Sequence, residues 1–224
     1  MDQISHSNLS KPVYDKIKAM ILSNELKPGQ KIIQEKLASD LGVSRTPLNK
    51  ALQMLEFELL LESIPRKGMY VKKVDLNEML DVFDCREGID AVAARLAASK
   101  RDPDIAVRLK KIFEPFIGMK GNIPLNSYKI ADQKFHKELI NSAGNKILSR
   151  FFSMDNFSQK VFQLGLVRPP EETLKDHLKI IEAISNNEPR KAAIAAAMHV
   201  QKSRNLIEAY IRERKDQKEI NGTH

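Results

Sequence analysis

A mainly α-helical chain of two domains is what this sequence predicts: three short helices with a small β-hairpin, then an all-α bundle of about six to seven helices. Three observations lead there. Apolar residues recur at helical spacing through most of the 224 residues. The pattern changes after Leu61, where Glu62-Ser63-Ile64 and Met69-Tyr70-Val71-Lys72 flank the basic turn Pro65-Arg66-Lys67-Gly68. Beyond Asp75 no alternation of period two recurs, and long apolar stripes are interrupted only by proline and glycine.

Taken in order, Val13, Ile17, Met20 and Ile21 line a first helix that reaches Lys27-Pro28-Gly29, where proline and glycine enforce a turn. Leu37, Ala38 and Leu41 give a second, ended by Gly42 in the left-handed backbone that helix C-termini favour. Ser44 then caps a third helix through its hydroxyl, with Pro47 in the first turn and Leu48, Ala51, Leu52 and Leu55 facing inward. Two helices separated by so short a turn make a helix-turn-helix, and the hairpin that follows is its wing. Asp75 and Glu78 form a capping-box pattern that opens the second domain, so the boundaries are 1–74 and 75–224. There the stripes predict helices near 76–99, 104–119, 125–143, 146–165, 171–186 and 189–214, with the polar tail from Arg212 expected to fray.

Composition narrows the function. With 37 basic and 29 acidic side chains the net charge is +8, and 12 basic against 8 acidic residues lie before Asp75. That favours a polyanionic partner without naming one. The single cysteine, Cys85, cannot form an internal disulfide; it is expected as a small core filler in a chain suited to a reducing compartment. No apolar run approaches the roughly 20 residues of a membrane span, and no secretory pattern opens the chain, so a cytoplasmic protein without membrane contact is expected.

A helix entered from a tight turn can lie in the major groove of DNA, with its N-terminal N–H groups and dipole near a phosphate. Ser44, Arg45 and Thr46 occupy that end, and the wing presents Arg66 and Lys67 to a neighbouring groove or backbone. Each residue alone admits a plainer role, Ser44 as a cap and Arg66-Lys67 as solvated turn residues. The whole run Leu37-Ala38-Ser39-Asp40-Leu41-Gly42-Val43-Ser44-Arg45-Thr46-Pro47-Leu48, with Ala51-Leu52, resembles the GntR family. Leu26-Lys27-Pro28-Gly29 and Pro65-Arg66-Lys67-Gly68 resemble that family's first-helix exit and wing. The resemblance implies a transcription regulator, of repressor type, bound to a pseudo-palindromic duplex operator as a homodimer. Asn49-Lys50 replaces the Arg-Glu usual there; asparagine pairs better with adenine than guanine, which shifts the expected operator sequence.

Five histidines remain to be placed, of which His6 and His224 lie near the termini and are expected to be disordered. Asp132 and His136 stand four apart on one predicted helix, so both leave the same face and can share a metal ion. His177 and His199 lie on the last two helices. Taken singly, a histidine is more often a hydrogen-bonded core or surface residue. Three histidines and an aspartate on helices of one small bundle are harder to dismiss, and imidazole with carboxylate suits Zn, Ni, Fe or Mn. Asp132-Gln-Lys-Phe-His136, Asp176-His177 and Met198-His199 resemble the FCD ligand-sensing domain of the FadR-type GntR branch. That resemblance implies a divalent metal (Zn, Ni or Mn) on Asp132, His136, His177 and His199. It also places Arg86 near an effector site, where a forked cation suits a small carboxylate completing the metal's coordination. Two rivals stand beside this sensor: a metal-dependent hydrolase, and a DNA-binding protein whose second domain serves only dimerisation. No general base with its own signature favours an enzyme.

Overall fold

In the computed structural model, residues 9–119, 121–152 and 167–221 are described. They form α1 (Ser10–Leu22), α2 (Gln34–Leu41), α3 (Arg45–Phe57), β1 (Leu61–Ile64), β2 (Gly68–Val71), α4 (Leu76–Ser99), α5 (Pro103–Phe113), α6 (Leu125–Ala143), α7 (Lys146–Phe152), α8 (Pro170–Ser185) and α9 (Pro189–Asn221). The chain divides into two compact units, the first running through Asp75 and the second beginning at Leu76.

In the first unit the four-residue spacing of Val13, Ile17 and Ile21 puts all three on one face of α1, which packs on α3. They are buried in one core with Leu48, Ala51, Leu52 and Leu55. Each such aliphatic side chain contributes about 1.5–3 kcal/mol on burial. Helix α1 stops at Leu22, short of the expected Lys27-Pro28-Gly29, because Asn24 turns the chain at φ +61°. Gly42 ends α2 at φ +64°, as expected. Ser44 has the extended backbone of a cap, but its hydroxyl makes no capping hydrogen bond. The physical reason lies three residues on: a usual donor to such a cap is the third N–H of the helix, and Pro47 has none.

The wing pairs Leu61 with Val71 and Ile64 with Gly68. Its turn closes through the Lys67 N–H on the Ile64 carbonyl (3.0 Å), with Pro65 in second place and Arg66 at φ +65°. Beside this two-stranded hairpin, residues 29–32 make an isolated antiparallel bridge, Lys31 opposite Tyr70, that the sequence did not reveal: Ile32 donates to Met69 (2.8 Å) and Val71 to Gln30 (2.8 Å).

The second unit is a helical bundle in which α4 packs chiefly against α9 and α6, and α8 against α9 and α5. Ala93, Ala94, Ala97 and Ala98 share one core with Ala192 and Ala196, small residues that let helix backbones approach closely. Leu109, Phe113, Phe135, Leu139, Ile180 and Ile184 fill the rest. Helix α5 is shorter than expected, ending at Phe113 before turns that lead to Gly118 at φ +88°. The helix expected over 146–165 is seen as α7 to Phe152; its remainder lies outside the described residues, as do His6 and His224. The tail expected to fray from Arg212 instead continues helical to Asn221, since Arg, Glu, Lys and Gln are all good helix formers. Cys85 is exposed rather than in the core, because the inward stripe of α4 runs through Phe83, Arg86 and Asp90. Among the described residues no helix is long and apolar enough to cross a membrane.

Candidate functional site

Helix α6 supplies Asp132 and His136, α8 supplies His177 and α9 supplies His199, all four buried. Each offers one ligand atom, and these atoms lie within 4.8 Å of one another. The Asp132 Oδ1 is 3.4 Å from His177 Nε2 and 3.8 Å from His136 Nε2. Donors around one ion at about 2.1 Å stand at most about 4.2 Å apart, so only a small contraction would close the set on a metal. His177 Nε2 is fully buried and makes no hydrogen bond among the described residues. Phe113 stacks on the His177 ring (4.7 Å, 14°) and Phe135 leans against it (4.5 Å), which walls the cluster with apolar surface.

The second nitrogen of each histidine faces a further residue. His136 Nδ1 lies 2.8 Å from Asp90 Oδ2, His177 Nδ1 is hydrogen-bonded to the Tyr128 hydroxyl at 3.1 Å, and His199 Nδ1 is 3.9 Å from Asp176 Oδ2. The last distance is too long for a hydrogen bond and close enough for electrostatic attraction. Asp176 is itself held by Arg168 (2.9 Å) and Lys202 (2.8 Å). Burial pushes the Asp176 carboxyl up, but the pull of His199, Lys202 and Arg168 outweighs it and leaves it well below the ordinary carboxylate value. Asp90 behaves alike: burial opposes its ionisation, and His136 and Arg86 more than offset that. Burial holds His177 well below the usual histidine value, with the charges of His199 and His136 adding to it. Burial also lowers His199, against the pull of Asp176. Both rings are therefore neutral at pH 7, the state in which imidazole ligates a metal.

Arg86 is buried on α4 and not solvated; its Nε lies 3.7 Å from Asp90 Oδ2, and its charge is felt at His177 and His199. Sequence reasoning missed Asp90, Tyr128 and Arg168. A signal for Asp90 existed, an acidic residue on the apolar stripe of α4 four places after Arg86.

In the first unit, α3 buries Pro47, Leu48, Ala51, Leu52 and Leu55 and turns Arg45, Thr46, Asn49 and Lys50 to solvent, with Ser44 exposed ahead of them. Arg45 pairs with Glu35 of α2 at 2.9 Å. Both side chains are more than 70% exposed, and so open a pair is worth about 0–1 kcal/mol, little hindrance to a phosphate or base edge. Arg66, Lys67 and Gly68 are exposed at the wing tip.

Residues 9–71 match the family model for bacterial regulatory proteins of the gntR family, and residues 81–202 match the FCD domain, a span that contains Arg86 and all four clustered residues. The chain is 27% identical over 196 residues to the Nta operon transcriptional regulator of Aminobacter aminovorans, covering 86% of this chain and 91% of that one. It is 23% identical to the HTH-type transcriptional repressor RspR of Escherichia coli, with 86% of each chain covered. Among solved structures, Escherichia coli McbR/YncC is similar in fold, with a TM-score of 0.69 at 18% identity over 93% of this chain and all of the other. With a DNA-binding domain and a helical domain both matched along their length, the chain belongs to the GntR family of transcription regulators and carries an FCD domain.

Proposed function

We propose that this regulator is a repressor whose operator affinity is controlled by a small carboxylate bound at a divalent metal on Asp132, His136, His177 and His199. The observation that carries the proposal is the convergence of those four buried side chains, from three helices, on one point inside the FCD span. Zinc, nickel and manganese all suit the donor set. Four protein donors leave open positions on an octahedral ion, and Arg86 is the cation that would receive the effector's carboxylate. Residues 1–74 bind DNA in this reading and residues 75–224 sense and dimerise. Ser44, Arg45, Thr46, Asn49, Lys50, Arg66, Lys67 and Gly68 meet the operator, two copies of the chain reading two half-sites in the cytoplasm. The printed role of RspR, a repressor, supports the sign. Sensing rather than turnover is supported by the carboxylates around the cluster, since Asp90 and Asp176 are already committed to Arg86, Arg168 and Lys202.

The test is metal analysis of protein purified without chelators, followed by operator selection from random duplexes and titration with a panel of carboxylates. About one divalent ion per chain is expected, lost in His177→Ala, together with a carboxylate that weakens operator binding. Protein that takes up none of the three metals and whose operator affinity no carboxylate alters would overturn the proposal.

A further inference from the structure

The outer faces of the histidines point to residues that do not touch the metal position and yet decide which nitrogen is offered to it. This inference rests on the metal reading above. A neutral imidazole carries one N–H and one lone pair, so whatever accepts from one nitrogen fixes the other as the ligand. At His136 the outer partner is Asp90, a fully buried carboxylate whose oxygen lies 2.8 Å from Nδ1. The proton of His136 then sits on Nδ1, leaving the Nε2 lone pair facing Asp132.

At His177 a longer chain of hydroxyls admits the same arrangement. Tyr128 lies 3.1 Å from Nδ1, and its oxygen is 3.0 Å from the Thr173 hydroxyl. Thr173 in turn lies 3.2 Å from the Pro170 carbonyl and 3.4 Å from that of Pro169, neither of which can donate. Hydroxyl protons rotate to suit their partners. The single Thr173 proton can go to the Tyr128 oxygen or to a carbonyl; in the second order Tyr128 donates to Thr173 and accepts from His177 Nδ1, which leaves Nε2 bare, and this is the order a metal on Nε2 requires. In that order two bare Nε2 lone pairs face one carboxylate oxygen at 3.4 and 3.8 Å, an arrangement that repels until a cation enters.

We propose that Asp90 and Tyr128 are positioning residues that fix the tautomers of His136 and His177, so that both present Nε2 to a single metal ion. Residues of this kind typically carry a 10- to 100-fold effect on metal affinity.

Zinc is the probe, used on the full chain in competition with a fluorescent chelator. Tyr128→Phe keeps the ring against Phe113 and Phe116 and removes only the hydroxyl, and Asp90→Asn keeps the shape and removes the charge. Each is expected to weaken zinc binding by roughly 10-fold or more, with far-ultraviolet dichroism unchanged. The second measurement needs no variant: nitrogen-15 spectra of histidine-labelled, zinc-loaded wild type are expected to show His136 and His177 protonated at Nδ1 and coordinated through Nε2. Coordination through Nδ1 at either ring overturns the inference, as does wild-type zinc affinity in both variants. Wild-type protein that binds no zinc, nickel or manganese overturns the metal reading and this inference with it.

Discussion

A buried imidazole that stays neutral stores a dependence on pH, and two such rings meet in this bundle. His177 and His199 both have their proton affinity lowered mainly by burial. In the unfolded chain each recovers a pKa near 6.5. As the pH falls through that value the unfolded state takes up protons that the folded state refuses, so stability is lost below about 6.5 and is flat above it. For each histidine the slope reaches up to about 1.4 kcal/mol per pH unit. The carboxylates work in a lower window: Asp176 and Asp90, held below their ordinary values, add stability that disappears only as the pH falls through the acid range. Urea unfolding of chelator-treated protein between pH 7.5 and 5.5 should therefore show a falling midpoint. A midpoint constant across that range would mean that the two rings are charged or solvated in the fold.

In α3 and the wing, the elements proposed to meet DNA, stability and binding are separable because the exposed side chains contribute little to the core. Arg45→Ala removes an exposed ion pair with Glu35 and should leave the unfolding midpoint within about 0.5 kcal/mol of wild type. Operator binding should weaken by about 1–3 kcal/mol and lose discrimination at one position per half-site, read by anisotropy on a selected duplex. Arg66 gives a sharper case, since a non-glycine residue at φ +65° carries about 1–2 kcal/mol of steric cost that glycine relieves. Glycine also raises the entropy of the unfolded chain, so Arg66→Gly should range from neutral to about 1 kcal/mol more stable while binding DNA less tightly. Loss of stability with unchanged DNA binding would show that Arg66 serves the hairpin and not the operator. These elements were legible in sequence because each has a local signal: a stripe on α3, and proline followed by glycine in the wing. The same holds for Asp132 and His136, four apart on α6. What escaped has none. Residues 29–32 are too few to alternate, the end of α9 is polar on every face, and Tyr128 serves His177 from a position 49 residues earlier. Partners at that separation are set by how the helices pack, which single-sequence periodicity does not encode.

For the molecule as a whole, the proposed function makes metal, effector and operator parts of one thermodynamic cycle. Helix α4 starts at Leu76, soon after β2 ends at Val71, and carries Arg86 two to three turns along. In that reading, a carboxylate that draws Arg86 from Asp90 toward the metal would act on the helix that follows the wing in sequence. A ligand shifts the DNA-binding equilibrium only by its difference in affinity for the two arrangements, however tightly it binds. Couplings of about 1–3 kcal/mol are typical and would change operator affinity roughly 5- to 150-fold, with DNA altering carboxylate affinity by the same factor. Arg86→Ala is expected to abolish the response while metal content and effector-free operator affinity stay near wild type. Its own site must be kept in view: Arg86 helps keep Asp90 ionised, so zinc affinity is measured on the same variant. If zinc and DNA both bind as in wild type and the carboxylate still shifts operator affinity, the effector does not act through Arg86. If saturating carboxylate leaves wild-type operator affinity unchanged, the metal stabilises the bundle and transmits nothing.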